Sequence, residues 1–132
     1  MVRAAVAVLA GFVSWFVAAT LGNLLVRALI PGYRAAETAM AFTLAMLLAR
    51  LAVGLPSSLI AGLACSWAGQ RSRAALYALA ALMLVFFLPV HYQLWARFPL
   101  WYHVAFLGTL APLIILGGTL RGTSAPDPGH VP

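Results

Sequence analysis

Four long stretches of this sequence carry no charged residue, and an arginine stands at each end of every one. The stretches cover residues 4–26, 51–70, 74–96 and 98–120. Each has the roughly 20 mostly apolar residues that an α-helix needs to cross a bilayer. A helix pairs its backbone amides within one segment, as hydrocarbon demands, and the runs lack the alternation of barrel strands. The sequence therefore predicts an all-α integral membrane protein with four transmembrane helices in an antiparallel bundle.

The second apolar run begins well before its span, at Thr38. A single helix from Thr38 to Ala68 would be about 46 Å long and would need a tilt of about 50° to fit a bilayer core. It would also place Arg50 inside the hydrocarbon, where an arginine costs about 2.5–3.5 kcal/mol. We therefore begin the span at Leu51, so that Arg50 reaches the boundary. Residues 38–49 are expected to form a helical extension or interfacial segment, with a re-entrant segment as the alternative.

The composition excludes most soluble classes of protein. Charged residues make up 8 % of the chain, against about 25 % in soluble domains, and so few charges cannot cover a water-facing surface. A soluble enzyme is therefore excluded, and the single cysteine, Cys65, excludes a disulfide scaffold. The net charge of +6 comes from arginines spread singly along the chain, without the basic stripe that nucleic acid needs. The expected partner is the lipid bilayer and not nucleic acid.

The distribution of arginines predicts an orientation. With four spans, both termini and the middle loop share one side, which carries Arg3, Arg71, Arg73 and Arg121. When the helix-end residues Arg27 and Arg50 are discounted, only Arg34 and Arg97 remain on the other side. Positive charge favours the cytoplasm, so both termini are predicted to be cytoplasmic in a bacterial inner membrane.

The two ends of the chain and its third loop carry weaker signals. The first run begins like a signal peptide but continues to Val26, so we expect an uncleaved helix. Residues 1–120 are expected to form the four-helix domain, and the Pro- and Gly-rich residues 121–132 a disordered tail. Aromatic residues around the third loop are expected to form an interfacial belt, comprising Tyr92, Trp95, Phe98, Trp101 and Tyr102.

Small residues recur at every fourth position in the first two spans. The first ridge is Ala10, Ser14, Ala18 and Gly22, and the second ridge is Gly54, Ser58, Gly62 and Ser66. Ridges of this kind let helix backbones approach closely in lipid, where hydrophobicity cannot drive association. We expect the first two spans to pack along these ridges, with an oligomer contact through one ridge as the alternative.

Polar residues gather at the predicted outer face of the bundle. At about 1.5 Å per residue, Asn23 and His91 each lie roughly 26–28 Å along their spans. We name the set the outer polar cluster, comprising Asn23, Arg27, Glu37, Arg50, His91, Gln93, Arg97 and His103. Three interpretations stand open: a wet interfacial cap, a pocket for an anionic or amphipathic ligand with Arg27 and Arg50 as donors, and metal or haem ligation by His91 and His103.

The motifs that would indicate transport or catalysis are missing from the sequence. No Asp or Glu lies in a span, although ion-coupled transport usually places a carboxylate there. The small multidrug-resistance transporters share this size and four-helix plan, but they depend on a glutamate in the first helix, which this chain lacks. No HExxH, GxSxG or phosphate-cradling glycine loop occurs.

We therefore expect a non-enzymatic interaction or accessory protein that binds itself or another membrane protein, with no cofactor or metal. The first alternative is a homo-oligomeric small transporter or channel, because four short helices alone enclose little space. The second is a His-ligated redox subunit or membrane-embedded enzyme.

Overall fold

A computed structural model describes residues 1–120. Every element in this range is an α-helix: α1 (Val2–Leu29), α2 (Tyr33–Ala39), α3 (Leu44–Ala68), α4 (Arg73–Gln93) and α5 (Leu100–Thr119). Among them α1, α3, α4 and α5 are long and apolar enough to cross a membrane. The predicted all-helical fold with four long apolar helices is confirmed, and the tail predicted for 121–132 lies outside the described residues.

The helices begin and end a few residues from the predicted span limits. The first helix is longer than predicted at both ends, whereas α4 ends at Gln93 and α5 begins only at Leu100. Pro99 explains the late start of α5, because a proline disfavours helical backbone at the residue before it and fits a helix start well. Between the two helices the chain turns, with the Phe98 amide donating to the Leu94 carbonyl at 3.1 Å.

The segment predicted over 38–49 is helical and continuous with the second span only from residue 44. Its first two residues end α2, and the helix breaks at Met40, whose φ of 54° is left-handed. The next helix begins after Thr43, whose hydroxyl accepts a hydrogen bond from the Met46 amide at 3.3 Å and so satisfies an N-terminal donor. Arg50 thus lies inside α3, more than a turn from its start.

The central helix is α3, which packs most extensively against α1 and α5. A Cβ at Gly62 would collide with the Ile114 carbonyl oxygen, and one at Gly117 would collide with that of Leu59. The backbones of α3 and α5 are therefore so close that only hydrogen fits at these positions. Close backbone contact through small residues is the typical way in which apolar helices associate.

The two ridges meet the expected neighbours in part. Gly22 of the first ridge lies against Val53 of α3, and Ser58 of the second ridge accepts a hydrogen bond from Trp15 of α1. The residues of the second ridge are buried, but Gly62 faces α5. On α1 a close approach to α3 occurs at Gly11, beside the half-buried first ridge. The first two spans do pack together, but the pairing of ridge with ridge is wrong for Gly62. A ridge marks a smooth face, and the tertiary arrangement decides which helix covers it.

An aromatic core joins α1, α4 and α5. The Trp15 ring centroid lies 4.8 Å from that of Phe87, which lies 5.0 Å from that of Phe106. The buried indole Nε1 of Trp15 donates to the Ser58 hydroxyl at 3.1 Å, which donates in turn to the Gly54 carbonyl at 2.9 Å. Both buried donors in this pair of hydrogen bonds, the Trp15 indole and the Ser58 hydroxyl, have an acceptor. The Trp15 side chain is therefore held in the core without the energetic cost of an unpaired polar group. These three rings form one wall of the cavity described next.

Candidate functional site

A cavity of about 240 Å³ lies between α1, α3, α4 and α5. Aromatic and aliphatic side chains make up most of its lining, and its polar members are Thr20, Asn23, Arg50, His91 and Tyr102. We call it the Arg50 cavity. Its volume falls below the roughly 300–1,000 Å³ of pockets for drug-sized ligands, so it suits one small chemical group.

Two tyrosine hydroxyls hold the Arg50 guanidinium at the cavity. Nη1 of Arg50 donates to the Tyr33 hydroxyl at 3.1 Å, and Nε donates to the Tyr102 hydroxyl at 3.4 Å. Tyr33 comes from α2 and is fully buried, whereas Tyr102 lies in the first turn of α5. Three separate helices therefore fix the direction of this cation, while part of its donor capacity stays unused within the described chain.

Aromatic faces surround the same guanidinium. The carbon Cζ of Arg50 lies 4.9 Å from the ring centroid of Phe42 and 6.0 Å from that of Phe98. A cation near a ring face gains roughly 0.5–2 kcal/mol, more as water is excluded. These contacts stabilise Arg50 in a half-buried position without neutralising its charge.

No carboxylate among residues 1–120 pairs with Arg50. The chain has two acidic residues, and Glu37 is engaged by Arg27, whose Nε and Nη2 both lie 2.9 Å from its Oε2. The other acidic residue, Asp127, lies outside the described range. Removing a charge from water is costly unless an opposite charge or strong hydrogen bonds replace the lost solvation. A bound anion would therefore supply the opposite charge that the Arg50 guanidinium lacks within residues 1–120.

A hydrogen-bonded histidine pair lies beside the cavity. Nδ1 of His91, near the end of α4, and Nδ1 of His103, near the start of α5, are 2.7 Å apart. Both rings are buried, and the Trp95 ring stacks on His103 with centroids 4.8 Å apart. In such a bond one Nδ1 donates and the other accepts, so a single proton lies between the two rings.

The surroundings of His103 assign that proton. Its Nε2 is buried and has no partner among the described residues. An orphaned N–H donor is rarer and more costly than an unpaired acceptor, so we assign Nε2 of His103 as unprotonated. His103 then donates from Nδ1 to His91, and His91 carries its proton on Nε2. His91 lines the cavity, and its Nδ1 accepts the hydrogen bond from His103 while its Nε2 remains an N–H donor.

The two histidines contact each other directly, with their Nδ1 atoms 2.7 Å apart. Over residues 1–120 no group of three or more His, Cys, Asp or Glu side chains converges.

The outer polar cluster is divided between several places. Asn23, Arg50 and His91 line the cavity, and His103 lies behind His91. The expected donor Arg27 instead pairs with Glu37 and does not line the cavity. Gln93 and Arg97 are exposed and also lie outside the lining. Of the two arginines proposed as anion donors, only Arg50 is placed to act in this cavity.

Sequence reasoning missed the residues that hold Arg50. Phe98 and Tyr102 are expected in an interfacial belt, but their side chains are only 6 % and 4 % exposed and therefore pack inside the protein. The remaining belt members, Tyr92, Trp95 and Trp101, are exposed. Tyr33 had one weak signal, its position directly after the turn-forming Pro31 and Gly32.

Comparisons of the chain with protein-family models, with curated proteins and with solved structures found no match. A fold of four apolar helices hosts many functions, so function has to be argued from the chemistry of the site. The Arg50 cavity is the part of the described chain that offers such chemistry.

Proposed function

We propose that this protein is a non-enzymatic integral membrane protein that binds an anionic group in the Arg50 cavity and acts as an accessory protein of the membrane. The observation that carries this proposal is the half-buried guanidinium of Arg50, which has hydroxyl and ring contacts but no carboxylate partner within residues 1–120. A planar guanidinium with spare donors matches phosphate and carboxylate groups, because both accept two parallel hydrogen bonds.

The rest of the lining supports recognition rather than reaction. Asn23 offers an amide donor, and the tautomer assigned to His91 offers an N–H donor. Each histidine of the pair has its Nδ1 engaged by the other, and no carboxylate of the described chain reaches the cavity to act as a base. A cation with neutral donors and apolar walls is the composition of a binding site for an anion.

The proposal includes an orientation in the membrane. Arg3 donates from Nη1 to Oε1 of Gln70 at 2.8 Å, so the start of α1 meets the end of α3. At the other end of these helices, Asn23 and Arg50 line one cavity. These contacts support an antiparallel arrangement of α1 and α3. From the distribution of arginines we further propose that both termini lie in the cytoplasm of a bacterial cell and the Arg50 cavity on the outer side of the inner membrane.

Native mass spectrometry tests the proposal. The protein is released from nanodiscs that contain equal amounts of phosphatidylglycerol and phosphatidylcholine with identical chains. We expect preferential retention of the anionic lipid, by about tenfold or ~1.4 kcal/mol. Arg50→Gln should abolish the preference, because it removes the charge, whereas Arg97→Gln should keep it, because Arg97 is exposed and outside the cavity.

Circular dichroism and elution volume show whether each variant keeps its fold. Equal retention of the two lipids by the wild type would contradict the proposal. An unchanged preference in folded Arg50→Gln would contradict it as well.

A further inference from the structure

We infer that the anion bound at Arg50 is the headgroup of a lipid whose acyl chain lies along α1, an inference that rests on the proposed function. A shallow groove runs over the surface of α1 and is lined by Phe12, Val13, Phe16, Val17, Thr20 and Leu21. We call it the α1 groove. Two of its residues, Phe16 and Thr20, also line the Arg50 cavity. The groove and the cavity therefore meet at these two side chains.

The length of the α1 groove matches one leaflet. From Leu21 to Phe12 the helix rises about 14 Å, which is roughly half of a hydrocarbon core about 30 Å thick. Along α1 the groove lies at the same depth as the cavity from Phe16 to Leu21, and it extends beyond the cavity to Phe12, away from Asn23 and toward the middle of the proposed bilayer. A lipid with its charged group at Arg50 would direct its chain along this path.

The chemistry changes along the same path from charged to apolar. The cavity holds Arg50, Asn23 and His91, whereas Thr20 is the only polar residue of the α1 groove. A cavity of 240 Å³ accommodates a headgroup but not a whole lipid, so the chain of a bound lipid has to leave it. Because the groove shares Phe16 and Thr20 with the cavity, we place the acyl chain there, so that one anionic amphipathic molecule occupies both parts.

The groove provides space for an acyl chain and does not attract it. An acyl chain gains little by moving from bilayer to groove, because lipid tails are as apolar as leucine. A bulky side chain in the groove should therefore exclude the lipid by steric overlap. The same side chain should not affect an anion that lacks a chain and occupies the cavity alone.

Val17→Trp tests this inference, because Val17 lines the groove and is 53 % exposed, so tryptophan has room without disturbing the core. Val6→Trp is the matched control, on the same helix, 52 % exposed and outside groove and cavity. Val13→Trp is a second groove variant. The probes are palmitoyl lysophosphatidic acid and glycerol 3-phosphate, both titrated into the protein in neutral detergent micelles.

We expect each groove variant to weaken binding of the lysophosphatidic acid at least about tenfold, and Val6→Trp to leave it unchanged. Binding of glycerol 3-phosphate should be the same in all three. Lysophosphatidic acid binding that both folded groove variants retain but Arg50→Gln loses would overturn the inference and leave the proposed function standing. Binding that Arg50→Gln retains would overturn both.

Discussion

At the scale of single residues, the fold uses neutral groups to hold polar ones. Arg50 contacts hydroxyl oxygens and ring faces in place of a carboxylate, and Nδ1 of His91 accepts a hydrogen bond from a second histidine. Within residues 1–120, the charge of Arg50 has no carboxylate partner, and the buried Nε2 of His103 has no hydrogen-bond partner. The site is therefore stable enough to form and still gains from a ligand.

The histidine pair gives a spectroscopic prediction. Nitrogen chemical shifts from ¹⁵N-histidine-labelled protein should show His103 protonated at Nδ1 only and His91 protonated at Nε2 only, because Nε2 of His103 is buried without an acceptor in the described chain. His103→Gln assigns the signals by removing one set. A spectrum with His103 protonated at Nε2 would show that this tautomer assignment is wrong.

The sequence predicts some of these residues and not others. Arg50 is identifiable because a charge between apolar runs needs an explanation, and His91 because its depth can be counted along a span. The partnership with Tyr33 is not identifiable, because it depends on α2 packing against the start of α3. Phe98 and Tyr102 mislead for a related reason: an aromatic residue near a helix end reads as interfacial unless the cation that it contacts is known.

At the scale of elements, α3 is held by contacts that tolerate no side chain. Its backbone lies against that of α5 at Gly62 and Gly117 and approaches α1 at Gly11. Because apolar helices in lipid gain little from burial, this close packing has to supply their association. Because Arg50 is carried by α3, its place in the folded molecule depends on glycines that lie far from the cavity.

Paired glycine substitutions test this dependence. Gly62→Ala should lower the free energy of unfolding by about 1–3 kcal/mol, because its Cβ would overlap the backbone of α5. Gly108→Ala on α5 should raise it by about 0.5–1 kcal/mol, because alanine favours a helix and nothing lies within 4 Å of the added carbon. Unfolding by sodium dodecyl sulfate in mixed micelles measures both. Equal effects of the two substitutions would contradict the packing described for α3 and α5.

Helix existence and helix ends differ in how well they can be predicted. Hydropathy identifies the four long helices because a long uncharged run has few other possible structures in lipid. The start of α3 escapes hydropathy because the residues before it are just as apolar. There the local chemistry decides, with a left-handed backbone at Met40 and a capping hydroxyl at Thr43.

At the scale of the whole molecule, the polar residues that line the Arg50 cavity lie near one end of the helices, and Arg3 is hydrogen-bonded to Gln70 at the other end. The sequence anticipates this placement of the cavity residues, since counting depth along each run already places Asn23, Arg50 and His91 together. The sequence does not predict which helices are neighbours, because a small-residue ridge indicates a face suited to close packing but not the helix that packs against it. The shape of the cavity follows from those neighbours, so it emerges only from the assembled fold.

The claim on which the account depends is that α1, α3, α4 and α5 each cross a bilayer, and reporter fusions test it most directly. Alkaline phosphatase and green fluorescent protein are fused in turn after Gly32, Gln70, Arg97 and Leu120. We predict phosphatase activity after Gly32 and Arg97, and fluorescence after Gln70 and Leu120. Fluorescence at all four positions, or phosphatase activity at two consecutive ones, would contradict four crossings.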